Sequence, residues 1–284
     1  MNPIVCHIVS GHAFFSGIAM VLTAVFLSTQ KQAIAHRFAF VVFSIGILFV
    51  VLSSTPIPYW YYGLTTAATL FWLLTLKQPT SRRSAAFAMV VLWLGAVTLE
   101  LPWHFVPGPK PIAAQSLTII GDSVTSGMGE GEAETWPGLL AAQHRIGVQD
   151  LSHVGETARS ALKRIREHGI QSSLLLVEIG GNDILGSTTS KEFERDLDTL
   201  LTYLKTPGRE ILMFELPLPP FCHEFGRVQR TLASRHGVHL IPKRVFLDII
   251  AMSGATLDSI HLSQSGHQQM ADLVWSLIEP AIRA

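Results

Sequence analysis

The 284-residue sequence predicts an α/β domain, a parallel sheet covered by helices on both faces, preceded by a bundle of four membrane-spanning helices. Three observations predict it. Apolar residues make up 48% of the chain and charged residues 15%, against about 25% charged in an ordinary soluble domain. The apolar excess lies before about Trp103. Beyond Pro111, short continuous apolar runs alternate with amphipathic stretches, as in buried parallel strands joined by helices. The domains expected are therefore residues 1–106 in lipid, a Pro-rich linker over 107–116, and a water-soluble domain over 117–284.

Four apolar segments, Ile4–Leu27, Phe38–Ser54, Tyr59–Leu76 and Ala85–Trp103, each approach the ~20 residues that a helix needs to cross ~30 Å of hydrocarbon. Lipid offers no partners to backbone polar groups, so such runs are helical there. The first lacks the basic leader of a signal peptide and three further spans follow it, so it is read as uncleaved. Lys31 and Arg37 flank the first loop, and Lys77, Arg82 and Arg83 the third. The second loop, Thr55-Pro56-Ile57-Pro58, carries no basic residue. The positive-inside rule then puts loops one and three in the cytoplasm and both termini outside. Tyr59, Trp60, Tyr61, Tyr62 and Trp103 form the outer aromatic belt. The expected location is an integral membrane protein of the bacterial inner membrane, with the soluble domain on the extracytoplasmic, or periplasmic, side. Gly11, Ser16, Gly17, Gly46, Gly63 and Gly95 permit close helix contacts. His7, His12 and Glu100 fall toward the outer leaflet, and two readings stand. They pair among themselves and hold the bundle, or they line a polar notch that admits a lipid head group.

Pro107-Gly108-Pro109-Lys110-Pro111 cannot continue a helix and forms a stiff, extended exit. Strands are then expected at Leu117–Ile120, Leu174–Ile179, Ile211–Leu216 and Val238–Ile241, and helices at Trp136–His144, Phe193–Leu204, Arg227–His236 and Gln264–Ile282. In such a sheet the chemistry belongs at the carboxyl ends of the strands. Two Gly-rich turns fall there, Gly121-Asp122-Ser123 and Gly180-Gly181-Asn182-Asp183.

Singly, each motif also fits a turn or a helix cap. Together they supply the parts of nucleophilic catalysis. A serine at a strand-to-helix turn needs a base to take its proton and an acid to orient that base. Asp258 and His261 sit three residues apart, so one turn offers both side chains to Ser123. The Ser123 amide, the Gly155 amide and the Asn182 side chain can make an oxyanion hole.

On these residues the chain resembles the SGNH (GDSL-like) hydrolase family, whose four blocks occur in order at Gly121–Ser123, Gly155, Gly180–Asp183 and Asp258–His261. Gly155-Glu156-Thr157, Val177–Asp183 and Thr135–Leu140 look like its bacterial thioesterase I / lysophospholipase branch. The resemblance covers the soluble half. It implies a three-layer α/β/α, flavodoxin-like fold with no metal and no cofactor. It also implies catalysis by Ser123, Asp258 and His261, with an oxyanion held by Ser123, Gly155 and Asn182. The chain departs from the family pattern in having Leu262 after the histidine, where Pro is common, and in its four-span region.

Net charge is zero with no basic tract, which excludes nucleic-acid partners. The two cysteines, Cys6 and Cys222, form neither a disulfide framework nor a metal cluster. Cys222 reads as packing. His267 is expected on the closing helix in solvent, and His153 beside Gly155 in a structural role or at the substrate. Glu130, Glu132 and Glu134 are expected in a solvated mobile loop or a lid.

The function expected is hydrolysis of lipid-like acyl esters, such as lysophospholipids, or of thioesters, with membrane lipids as neighbours. A tether of ~5 residues reaches no further than roughly 18 Å from the bilayer. An alternative keeps the triad but removes or transfers O-acyl groups on envelope glycans. A third reading is an inactive lipid-binding scaffold.

Overall fold

The computed structural model describes residues 2–30, 32–76, 78–129, 133–258 and 260–282. Lys31, Lys77, Glu130 and Glu132 lie outside the described residues. The chain divides into two compact units. One comprises His7–His104 and Leu218–His223, and the other Met1–Cys6, Phe105–Pro217 and Glu224–Ala284.

In the apolar unit the helices are α1 (Pro3–Val9), α2 (His12–Ser28), α3 (Ala33–Leu52), α4 (Tyr59–Thr75) and α5 (Pro79–Glu100), followed by a 3₁₀ turn over Leu101–His104. Ala33–Leu52 and Ser81–His104 are long and apolar enough to cross a membrane, and α1 with α2 makes a third candidate only if the pair counts as one span. The expected single helix over Ile4–Leu27 is corrected here. The two helices meet at 88° because Gly11 takes φ +86°, a left-handed conformation that ends α1 and begins α2. Helix α4 has 17 residues. Two of the small residues make the contact expected of them. A methyl group at Gly17 would meet the Gly46 carbonyl oxygen at 2.7 Å, and one at Gly46 the Gly17 carbonyl at 2.8 Å, so α2 and α3 touch backbone to backbone. Gly63 faces open space instead. Phe14, Ile18, Val21, Trp72, Met89 and Trp93 fill the interior, and Trp93 Nε1 donates to Thr69 Oγ1 at 3.1 Å. His7 is hydrogen-bonded to Ser16. Glu100 is fully buried and pairs with His104 at 3.2 Å, a partner the sequence reading did not name; His104 also stacks on His12.

The second unit is built on five parallel strands in the order β2-β1-β3-β4-β5. These are β1 (Ser116–Gly121), β2 (Gly147–Asp150), β3 (Leu174–Glu178), β4 (Glu210–Phe214) and β5 (His239–Ile241). Between and after them run α6 (Ser123–Ser126), α7 (Trp136–His144), α8 (Ala158–His168), α9 (Gly181–Leu185), α10 (Ser190–Leu204), α11 (His223–His236), α12 (Lys243–Ile250) and α13 (Gln264–Ile282). The three central strands carry mostly apolar residues and are almost wholly buried, as strands covered on both faces must be. Leu117, Ile119, Leu174, Leu176, Leu212 and Phe214 join one core with Val245, Met270, Val274 and Ile278 of the last helices.

The register aligns Leu117 with Leu174 and carries Gly121 opposite Glu178. That pairing puts the end of β1, where Ser123 follows, against the last residue of β3. Strand β2 is a half-exposed edge whose sequence Gly-Val-Gln-Asp has no apolar run, and its partner β1 supplies the pairing instead. Helices α8 and α12 were also absent from the sequence reading. Of α8 only Ala158, Ala161 and Ile165 are buried.

Candidate active site

Strand β1 delivers Ser123. Asp122 caps the turn that follows, its Oδ1 accepting from Val124 N–H at 3.0 Å, and the Asp122 carbonyl accepts from Thr125 and Ser126 N–H at 3.2 and 2.9 Å. Helix α6 is one turn long. Its N-terminal field is therefore that of a few individual N–H groups rather than a macrodipole. Ser123 is nearly buried, 9% exposed.

The turn after β5 and α12 brings the other two residues. Asp258 Oδ1 accepts from the backbone N–H of Ile260 at 2.6 Å and of His261 at 2.8 Å, which closes the turn on itself. Its Oδ2 accepts from His261 Nδ1 at 2.7 Å. That bond puts the imidazole proton on Nδ1 and leaves Nε2 as an acceptor, 3.1 Å from Ser123 Oγ. Serine, histidine and aspartate thus form one hydrogen-bonded chain. Asp258 is held down at about 2, first by the bond from the His261 side chain and then by the two backbone N–H groups. It stays ionised at any pH where the base operates. Leu262, in the place of the family's common Pro, is 1% exposed and bridges Thr256. It anchors the turn by burial where a proline would have stiffened it.

Strand β3 ends at Glu178 and the chain turns through Gly180 at φ +120°. A methyl group there would meet Leu216 at 2.6 Å and Phe193 at 3.1 Å, so the turn admits only glycine. Asn182 follows, with Nδ2 at 3.2 Å from Asp122 Oδ2 and 3.0 Å from the Glu156 carbonyl. Gly155 stands one residue before Glu156, at φ +77° in the turn that leaves β2. Both hydrogens of the Asn182 amide are therefore engaged. Asp183 turns away to cap α8 through Ala158 N–H at 3.0 Å. Burial lifts its carboxyl above the ordinary range.

His153 is exposed and its Nδ1 meets the Val154 carbonyl at 2.8 Å. His267 corrects an expectation. It lies on α13 as anticipated but is fully buried, not solvated, and its Nδ1 accepts from Trp136 N–H at 3.2 Å, tying α13 to α7. Glu134 is held too: Gln264 Oε1 accepts from its N–H at 3.1 Å and from Ala133 N–H at 2.6 Å.

The residue that sequence reasoning passed over is Glu178. Its Oε2 accepts from Thr125 Oγ1 at 2.9 Å and from Asp122 N–H at 3.4 Å, directly beneath the nucleophile's turn. The available signal was a single carboxyl at the end of an otherwise apolar strand.

The GDSL-like Lipase/Acylhydrolase family model matches residues 119–269. The chain is 25% identical over 186 residues to Esterase TesA of Pseudomonas aeruginosa, covering 60% of this chain and 90% of that one. It is 27% identical over 186 residues to Thioesterase 1/protease 1/lysophospholipase L1 of Escherichia coli strain K12, covering 61% and 88%. Among solved structures, the psychrotrophic esterase EstA from Pseudoalteromonas superposes with a TM-score of 0.54 at 22% identity, covering 60% of this chain and all of that one. The structure of TesA does so with a TM-score of 0.51 at 24% identity, covering 59% and 99%. Those two likenesses concern the fold. A serine ester hydrolase is the class that this site and these relatives define. The chain belongs to the GDSL-like Lipase/Acylhydrolase family, close to the TesA and thioesterase I proteins.

Proposed function

We propose that this chain is a membrane-anchored hydrolase of lipid-like acyl esters, such as lysophospholipids, or of thioesters, acting at the extracytoplasmic face of a bacterial inner membrane. The hydrolase part of that reading stands on one observation, the continuous hydrogen-bonded chain from Ser123 Oγ through His261 to Asp258. Ser123 Oγ attacks the acyl carbonyl carbon while His261 Nε2 takes its proton. The tetrahedral oxyanion is received by the Ser123 and Gly155 amides and by Asn182. Collapse expels the alcohol or thiol, which takes the proton from His261, and water releases the acyl group from Ser123 by the same steps in reverse order.

The lipid part is supported by the apolar unit. Two of its helices are long enough to span and the bent α1–α2 pair is a third candidate; the four-span reading adds the 17-residue α4, and the basic Arg37, Arg82 and Arg83 lie at the ends it assigns to the cytoplasm. The same unit carries an open apolar groove of about 560 Å³, lined among others by Tyr59, Tyr62, Trp93, Phe221 and His223. Ligand pockets commonly fall between about 300 and 1,000 Å³, so an acyl chain fits. Phe221 is exposed and stands at φ +69°, a conformation costly for a bulky residue, and His223 Nε2 donates to the Ser53 carbonyl at 2.7 Å.

Lipidomics of membranes carrying the active chain or its Ser123→Ala variant tests the proposal. Accumulation of a lysophospholipid or another acyl ester with the variant supports it. Unchanged lipids together with altered O-acylation of envelope glycans would move the assignment to the glycan substrate.

A further inference from the structure

We propose that Glu178 is a positioning residue of the active site: as a neutral carboxylic acid it donates a hydrogen bond to Asp122, and through Asp122 it sets both the Ser123 turn and the aim of the Asn182 amide. The proposal rests on the ester hydrolysis assigned to Ser123 and not on the identity of the lipid.

The geometry begins with the sheet register. Because Gly121 lies opposite Glu178 across β1 and β3, Asp122, the first residue after β1, is carried to the Glu178 carboxyl. Both are almost fully buried, 3% and 5% exposed, and Glu178 Oε2 takes the Asp122 N–H at 3.4 Å, so the two carboxyl groups share one dry site. Two carboxylates buried side by side repel each other, which favours a proton on one of them. The surrounding donors say which. Asp122 accepts on both oxygens, from Val124 N–H and from Asn182 Nδ2, as a carboxylate does. Among the described residues Glu178 accepts on Oε2, from Thr125 Oγ1 and Asp122 N–H, and Oε1 is the oxygen left to carry the proton. Burial pushes the Glu178 acid well above its ordinary range and the neighbouring Asp122 charge pushes it further. Asp122 is raised as well, first by burial.

The consequence concerns charge near the reaction. A single negative charge, on Asp122, holds Asn182 in place. If Glu178 ionised, a second buried charge would stand beside it and oppose the oxyanion that develops on the substrate. The titratable groups facing the pair are few. Asp122 and Glu178 act on each other, His261 acts on Asp122, and Asp183 feels Asp122 from α9. Helix α6 contributes only the neutral Thr125. The proton on Glu178 is thus a condition for turnover that is lost on the alkaline side.

The test uses the full chain purified in detergent, with a medium-chain p-nitrophenyl ester. Glu178→Leu removes the donor and is expected to lower kcat about tenfold with KM unchanged, the size of one hydrogen bond to a charged group. Glu178→Gln keeps a donor toward Asp122 and cannot ionise, so it should recover most of that loss and remove the wild type's alkaline decline. Infrared spectra of the resting enzyme at neutral pH should show a protonated-carboxyl band that is absent from Glu178→Gln. Full activity in Glu178→Leu, or an alkaline limb kept in Glu178→Gln, would overturn the proposal. So would the absence of that band, and the infrared result decides even if the wild type hydrolyses no ester and the functional assignment itself falls.

Discussion

Asp258 and Glu178 both act on Ser123 through one intermediate group, yet their surroundings are opposite. Asp258 stands in solvent, its side chain 57% exposed, and is drawn down to about 2 by three donated hydrogen bonds. Glu178 is buried at the end of a central strand, where burial and a neighbouring carboxylate drive its acid form up. One carboxyl is kept charged so that it holds an imidazole in the right tautomer. The other is kept neutral so that it can donate. The difference shows how one functional group serves two roles in a single site when hydrogen-bond donors decide the first case and desolvation the second.

Replacing charge at each position breaks the comparison in a graded way. Asp258→Asn leaves the turn's shape but lets the imidazole adopt the wrong tautomer, and kcat should fall by roughly 10⁴, as when the acid of such a triad is neutralised elsewhere. Asp122→Asn removes the charge between Glu178 and Asn182, and a loss of about 10² in kcat is expected, the order found on losing one oxyanion donor. Both are read from single-turnover and steady-state kinetics on the same ester. A loss in Asp122→Asn as large as that in Asp258→Asn would make the buried pair part of the proton path and not a support.

The smallest effect is on stability, and its sign separates the two carboxyls. Asp258 has a depressed folded-state value, so its contribution is present above its unfolded value near ~3.9 and fades as pH falls toward about 2. Glu178 has a raised value, so the folded state binds the extra proton and stability declines as pH rises from ~4.3 toward the folded value. Melting temperatures of Glu178→Gln relative to wild type should therefore climb between pH 5 and pH 8. A flat difference over that range would show that Glu178 is not buried as an acid.

Much of the hydrolase unit was legible because its signals are local. The runs Leu117–Ile120, Leu174–Ile179 and Ile211–Leu216 are apolar on both faces, which only a strand covered by helices requires. Asp258 and His261 bond within one turn, so their spacing carries their geometry. What escaped depends on partners far along the chain. Strand β2 exists through its pairing with β1 and carries no apolar run of its own. His267 looks like any helical surface histidine until Trp136 N–H, 131 residues away, is placed against it. Glu178 acquires its meaning from a register that sets it opposite Gly121. In the apolar unit hydropathy measures length and polarity but not direction, and averaging across Gly11 hid an 88° bend.

The central claim is that Ser123 is the nucleophile of an ester hydrolase, and a fluorophosphonate probe tests it most directly. The purified chain should take up one probe per molecule, with mass spectrometry placing the adduct on the peptide that contains Ser123, and Ser123→Ala should take up none. Labelling that persists in Ser123→Ala, or an adduct on another residue, would contradict the account.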